Sequence, residues 1–136
     1  MITDNRILIV DDEKPARDRL RQLVEDLGGH SIVGEAGNGA DALRIAAEAN
    51  PDIVLLDLKM PEMDGMELIR RLKKKKSGMS IVMITAYGEI TTAVEAMKEG
   101  AEDFLVKPID LEQLEALLQR ALSHQAVVRE NRELKE

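Results

Sequence analysis

The sequence predicts an α/β domain on a five-stranded, doubly wound parallel sheet of order 2-1-3-4-5. Two observations predict it. Short, almost continuous runs of Val, Ile and Leu alternate with segments whose apolar residues recur at helical spacing, and this β-then-α unit repeats five times. The apolar runs lack in–out alternation, as strands do when helices cover both faces of a parallel sheet. Right-handed crossovers then leave few possible strand orders.

Arg6 to Val10 is the first strand and stops at Asp11-Asp12-Glu13. Pro15 suits the first turn of a helix, where its missing N–H costs nothing. Leu20, Leu23, Val24 and Leu27 form that helix's apolar face, and Gly28-Gly29 ends it. Ser31 to Ala36 is the second strand and Gly37-Asn38-Gly39 a turn. Ala42, Leu43, Ile45, Ala46 and Ala49 mark the second helix, closed by Asn50-Pro51. Asp52 to Leu56 is the third strand, ending at Asp57. After a loop through Pro61 and Gly65, a helix over Met66 to Lys76 buries Leu68, Ile69 and Leu72, and its lysine-rich end reads as a solvated terminus favoured by the helix dipole. Ser80 to Ile84 is the fourth strand, ending at Thr85. Helix four spans Ile90 to Glu99 and stops at Gly100. Asp103 to Val106 is the fifth strand, ending at Lys107-Pro108. A last helix starts near Asp110, an effective N-cap, with Leu111, Leu114, Leu117, Leu118, Ala121 and Leu122 for packing.

At 136 residues the chain fits one domain, residues 1–122, followed by a helical extension or coiled-coil start over 123–136. In that tail Val127, Asn131 and Leu134 are spaced like the seam of a dimeric coiled coil. The absence of cysteine excludes disulfides, thiolate metal sites and cysteine nucleophiles. A net charge of −7 argues against direct nucleic-acid binding. With Tyr87 and Phe104 the only aromatics, base- or flavin-stacking walls are missing. No apolar run approaches membrane-spanning length and no signal segment opens the chain, so the expected location is cytoplasmic and no membrane partner is expected.

In a parallel sheet every strand delivers its C-terminal end to one edge, where ligands bind near the switch in strand order. Here that edge receives Asp11 and Asp12, then Asp57, Thr85 and Lys107 from successive strands. Three crowded carboxylates repel one another, and a hard divalent cation relieves the conflict; Mg²⁺ suits a few carboxylates plus water. Lys107 adds a positive charge and Thr85 a hydroxyl donor. Such a surround suits a phosphoryl group in transfer, whose charge is spread over three oxygens. Asp57, at the centre, is the natural nucleophile, already ionised at neutral pH.

The runs Ile7 to Glu13, Asp52 to Gly65, Ile84 to Tyr87 and Asp103 to Pro108 together resemble the response-regulator receiver family, whose fold is flavodoxin-like. The resemblance covers about residues 5 to 122 and implies roles for particular residues. Asp57 is the phosphoacceptor, receiving a phosphoryl group from a histidine kinase. Asp12, Asp57 and the main-chain carbonyl of Lys59 bind Mg²⁺ directly, with Asp11 acting largely through water. Thr85 and Lys107 contact the phosphoryl oxygens, and Thr85 and Tyr87 form a switch pair. The Lys107–Pro108 peptide is cis. Lys59 and Tyr87 also occupy the positions that tune phosphoryl lifetime, and their bulk implies slow self-hydrolysis. The face of helix four, strand five and helix five, with Ile90, Val94 and Lys98, signals to an effector domain or to a second receiver protomer. In this reading the chain is not an enzyme beyond its own phosphorylation and dephosphorylation.

From Thr85 onward the chain is similar to receivers of the NtrC type, which precede a sigma-54-activating ATPase and a DNA-binding domain. The first half is closer to LytTR-type receivers. Divergence, or a chimera with a seam near Ser77 to Ser80, accounts for the difference. Other functions fit less well. A phosphatase of the haloacid-dehalogenase type needs an acid where Lys59 stands. An FMN-binding flavodoxin needs a hydroxyl-rich phosphate loop and aromatic walls. An interaction-only domain would usually have lost one of the site residues, and all are present.

Overall fold

The computed structural model describes residues 5–57, 65–75, 78–85 and 90–121, with backbone alone for 65 and 90–93. Among the described residues the elements run in the order β1 (Asn5–Val10), α1 (Lys14–Leu27), β2 (His30–Ala36), α2 (Gly39–Ala49), β3 (Ile53–Asp57), α3 (Gly65–Lys75), β4 (Ser80–Thr85), α4 (Ile90–Glu99) and β5 (Asp103–Val106). A helix α5 follows over 111–121. The strands form one parallel sheet of order β2-β1-β3-β4-β5, as the sequence predicts.

The continuous apolar runs are explained by the two-residue period of a strand. In β1, Leu8 and Val10 face one core, while Ile7 and Ile9 face the other. The same split sends Val54, Leu56, Ile81 and Met83 toward Ala42, Ala46, Leu68, Ile69, Leu72 and Ala96 of α2, α3 and α4. It sends Ile53, Leu55, Val82 and Ile84 toward Leu20 and Val24 of α1 and Leu114, Leu117, Leu118 and Ala121 of α5. Strands β3 and β4 are buried along their whole length, so their last residues, Asp57 and Thr85, project from a rigid base.

Element ends follow local chemistry. Gly28, at φ 71°, closes α1, and Asn50, at φ 50°, closes α2. Asp110 caps α5 by accepting a hydrogen bond from the Gln113 N–H at 2.8 Å. Asn38, expected in a turn, is the N-cap of α2 and accepts from the Asp41 N–H at 2.8 Å. Strand three begins one residue later than expected. Asp52 precedes it, and its carboxylate accepts from the Arg6 N–H at 3.0 Å in place of a ladder carbonyl. Two expected surfaces are corrected. Leu111 is exposed, because the buried stripe of α5 begins one turn later at Leu114. Lys73 is half-buried rather than solvated, and its ammonium donates to the Met79 carbonyl at 2.9 Å.

Where β1 pairs with β2, Ile7 faces Ile32 but Leu8 faces Gly34, so Val33 is an extra residue in a bulge. Gly34 lies so close to α2 that an added Cβ would sit 2.6 Å from Ile45 Cγ2. Gly34→Ala must therefore displace Ile45, and it is expected to lower unfolding free energy by about 1–3 kcal/mol in urea denaturation. A stability equal to wild type would mean α2 has slack against the sheet.

Candidate functional site

The C-terminal edge of the sheet gathers Asp11 and Asp12 after β1, Asp57 at the end of β3, Thr85 at the end of β4 and Lys107 after β5. Asp11, Asp12 and Asp57 each offer a carboxylate oxygen, and these atoms lie within 4.8 Å of one another. Asp11 and Asp57 are buried, whereas Asp12 is exposed. Lys107 Nζ lies 3.3 Å from Asp57 Oδ2. The Lys107 N–H donates to the Thr85 carbonyl at 2.8 Å, which ties the ends of β4 and β5 together. The Lys107–Pro108 peptide is cis, as the resemblance implies.

Asp11 is fixed at three atoms. Its N–H donates to the Ala36 carbonyl at 3.0 Å, its Oδ1 accepts from the Glu13 N–H at 3.0 Å, and its carbonyl accepts from Arg17 Nη1 at 2.7 Å. Its other carboxylate oxygen, Oδ2, is buried without a hydrogen-bond partner among the described residues. A buried polar oxygen left unpaired is costly. Burial pushes the Asp11 carboxyl up to about 6; the Glu13 N–H opposes this and the neighbouring Asp57 charge adds to it. The cluster thus holds more negative charge than Lys107 alone offsets. An orphaned carboxylate oxygen beside two further carboxylates has the donor chemistry that a hard divalent cation satisfies.

The sequence matches the family described as "Response regulator receiver domain" over residues 7–119. The chain belongs to the response-regulator receiver family. It is 41% identical over 134 residues to "Regulatory protein AtoC" of Escherichia coli K12, covering 98% of this chain and 29% of AtoC. It is 38% identical to "Chemotaxis protein CheY" of Listeria monocytogenes, covering 85% of this chain and 97% of CheY. Among solved structures, NtrX from Brucella abortus superposes with a TM-score of 0.90 at 34% identity, covering 97% of this chain and 30% of NtrX. A receiver domain protein from Clostridium thermocellum superposes at 0.84 with 31% identity, over 91% of this chain and 98% of that one. The match to AtoC runs through Ser77 to Ser80, so one relative spans both halves of the sequence. The chain is a receiver domain of two-component response regulators, and it spans under a third of the length of AtoC.

The structure brings together five of the residues expected at the receiver site: Asp11, Asp12, Asp57, Thr85 and Lys107. Lys59 and Tyr87 lie outside the described residues, as do the rest of 58–64, where the sequence predicts a loop, the side chain of Ile90 and residues 122–136. On α4, Val94 and Lys98 are exposed as expected, and Met97 joins them. Sequence reasoning missed Arg17 and Glu35. Arg17 Nε lies 3.4 Å from Glu35 Oε1, and Arg21 Nε donates to Glu35 Oε2 at 2.6 Å. Their spacing across α1 and β2 carries no motif, although an acid in the middle of an apolar strand is a signal for a partner.

A raised carboxyl pKa means that the native state holds the proton more tightly than the unfolded chain. Ionisation therefore costs native stability as pH rises. The penalty is absent below the ordinary value of 3.8 and complete above about 6. Without divalent cations, Asp11→Asn is expected to be more stable than wild type by up to about 3 kcal/mol at pH 8. That advantage should shrink as pH falls from 6 toward 4, as read by urea unfolding at each pH. An advantage constant with pH would rule out Asp11 ionisation as its source.

Proposed function

We propose that this receiver domain accepts a phosphoryl group on Asp57 from a phosphohistidine of a histidine kinase, in a Mg²⁺-dependent reaction. The observation that carries this reading is the Asp57 carboxylate held 3.3 Å from Lys107 Nζ, in reach of the two further carboxylates of Asp11 and Asp12. Asp11, Asp12 and Asp57 would hold Mg²⁺, with the Lys59 carbonyl as a further ligand. The unpartnered Asp11 Oδ2 supports that fit. When bound, the ion supplies positive charge against the carboxylates and the transferring phosphoryl oxygens.

In the reaction an Asp57 carboxylate oxygen attacks phosphorus. The new O–P bond forms as the P–N bond to imidazole breaks, and the electron pair returns to the ring nitrogen. Lys107 moves from its ion pair with the carboxylate to a phosphoryl oxygen, and Thr85 donates its hydroxyl to another. Both sit at adjacent strand ends, on the same sheet edge as Asp57. An apolar groove of about 220 Å³, lined by Ala16, Leu20, Leu23, Pro108 and Ile109, opens beside Lys107 and Asp11 and gives a kinase a surface next to the phosphoacceptor.

Movement of Thr85 toward the phosphoryl group, followed by Tyr87, would shift an equilibrium between two states of the α4–β5–α5 face. Exposed Val94, Met97 and Leu111 are apolar residues available there for an effector domain or a second protomer. Within this reading residues 1–122 are the receiver and 123–136 a helical extension or the start of a coiled-coil linker, and the protein works in the cytoplasm. Among the described residues, no helix is long and apolar enough to cross a membrane.

Intact mass after incubation with acetyl phosphate and Mg²⁺ tests this function. One added phosphoryl group is expected, absent with EDTA and absent in Asp57→Asn. Lys107→Ala is expected to slow its appearance by about 100-fold, the order seen when one charge-stabilising donor is removed. An adduct of equal yield in Asp57→Asn would overturn the assignment.

A further inference from the structure

Asp11 is buried, bears the unpartnered Oδ2, and precedes exposed Asp12 in the β1–α1 turn. Arg17, one turn into α1, reaches back into that turn. Its Nη1 donates to the Asp11 carbonyl at 2.7 Å, a charge-assisted bond. Its Nε faces Glu35 at 3.4 Å, and Glu35 is held on its other oxygen by Arg21 at 2.6 Å. Arg17 and Glu35 side chains are only 18% and 24% exposed, so this is no solvated surface pair. The guanidinium lies against Gly37, where an added Cβ would come within 3.3 Å of Nη1.

We infer that Arg17 is a positioning residue for the cation site. Clamped by Glu35 on β2, it fixes the main chain at Asp11 and so sets where the Asp11 and Asp12 carboxylates stand. Glu35 keeps the guanidinium on the carbonyl and away from the carboxylates, where it would compete with the cation as a counter-charge. Arg21 touches Glu35 and not Asp11, so it supports the clamp from outside. The inference rests on the Mg²⁺ reading above.

Two effects of removing Arg17 have opposite signs. If its charge alone mattered, deleting a cation near three carboxylates would tighten Mg²⁺. If its position matters, the turn loosens and Mg²⁺ binds more weakly; loss of an outer-shell partner commonly weakens metal binding by about 10-fold or more.

The experiment is Mg²⁺ titration by calorimetry on the full chain, with thermal unfolding of each cation-free variant alongside. Wild type should bind Mg²⁺ saturably, and Asp57→Asn should lose most of that binding. Arg17→Ala should bind about 10-fold more weakly, while Arg21→Ala stays within about twofold of wild type, since it leaves the bond to Asp11 in place. Arg17→Lys, which keeps the charge and one donor, should recover part of the loss. Tighter or unchanged binding in Arg17→Ala, or equal losses in Arg17→Ala and Arg21→Ala, would overturn the inference and leave the phosphoacceptor reading intact. A wild-type chain that does not bind Mg²⁺ would remove both.

Discussion

The structure depends on keeping like charges together at the end of a buried sheet. Asp11 and Asp57 are buried carboxylates with oxygens within 4.8 Å of one another and of Asp12, and the Lys107 ammonium pairs with Asp57. Coulomb repulsion and desolvation both oppose this arrangement, and a chain free to relax would splay it apart. It persists because the two buried acids are attached to segments that cannot move far. Asp57 is the last residue of a strand buried on both faces, and Asp11 is tied through its N–H, carbonyl and Oδ1. The apolar sheet supplies the stabilisation that the site consumes. That is the usual relation between a packed scaffold and a functional cluster.

Under the proposed function, the same scaffold links the chemistry to the signalling face. Thr85 ends β4, and its carbonyl accepts the N–H of Lys107, so the two residues proposed to contact the phosphoryl group belong to one hydrogen-bonded edge. That edge continues into β5 and α5, while α4 leaves Val94 and Met97 exposed. A change at Thr85 is therefore one strand away from a surface with unburied apolar area. On the opposite flank β2 has a different task. Its Glu35 gathers Arg17 and Arg21, so the edge strand furthest from β5 braces the acidic turn.

Much of this was legible in the sequence, because strand ends in a parallel sheet are a strong geometric rule. Once Val10, Leu56, Ile84 and Val106 are read as strand ends, Asp11, Asp57, Thr85 and Lys107 must converge, and they do. Gly28, Asn50 and Gly100 mark helix ends for reasons local to the chain, and such reasons survive folding. What escaped notice depends on contacts between distant segments. Asn38 looks like a turn residue until a helix begins behind it, and the bulge at Val33 follows from packing on β1. Lys73 belongs to a basic run, yet it folds back onto the Met79 carbonyl. The clamp of Arg17 on Asp11 follows neither helical nor strand periodicity, since it is set by where α1 lies over the β1–β2 edge.

The central claim is that this edge exists to carry a phosphoryl group on one particular acid among three. The most direct test is to locate that acid chemically. The chain would be phosphorylated with acetyl phosphate and Mg²⁺, and the acyl phosphate trapped by borohydride, which reduces the modified aspartate to homoserine. Peptide mapping by tandem mass spectrometry then reads the position. Homoserine at position 57 alone is the result expected. Homoserine at position 11 or 12, or at none of the three under conditions where the folded chain binds Mg²⁺, would contradict it.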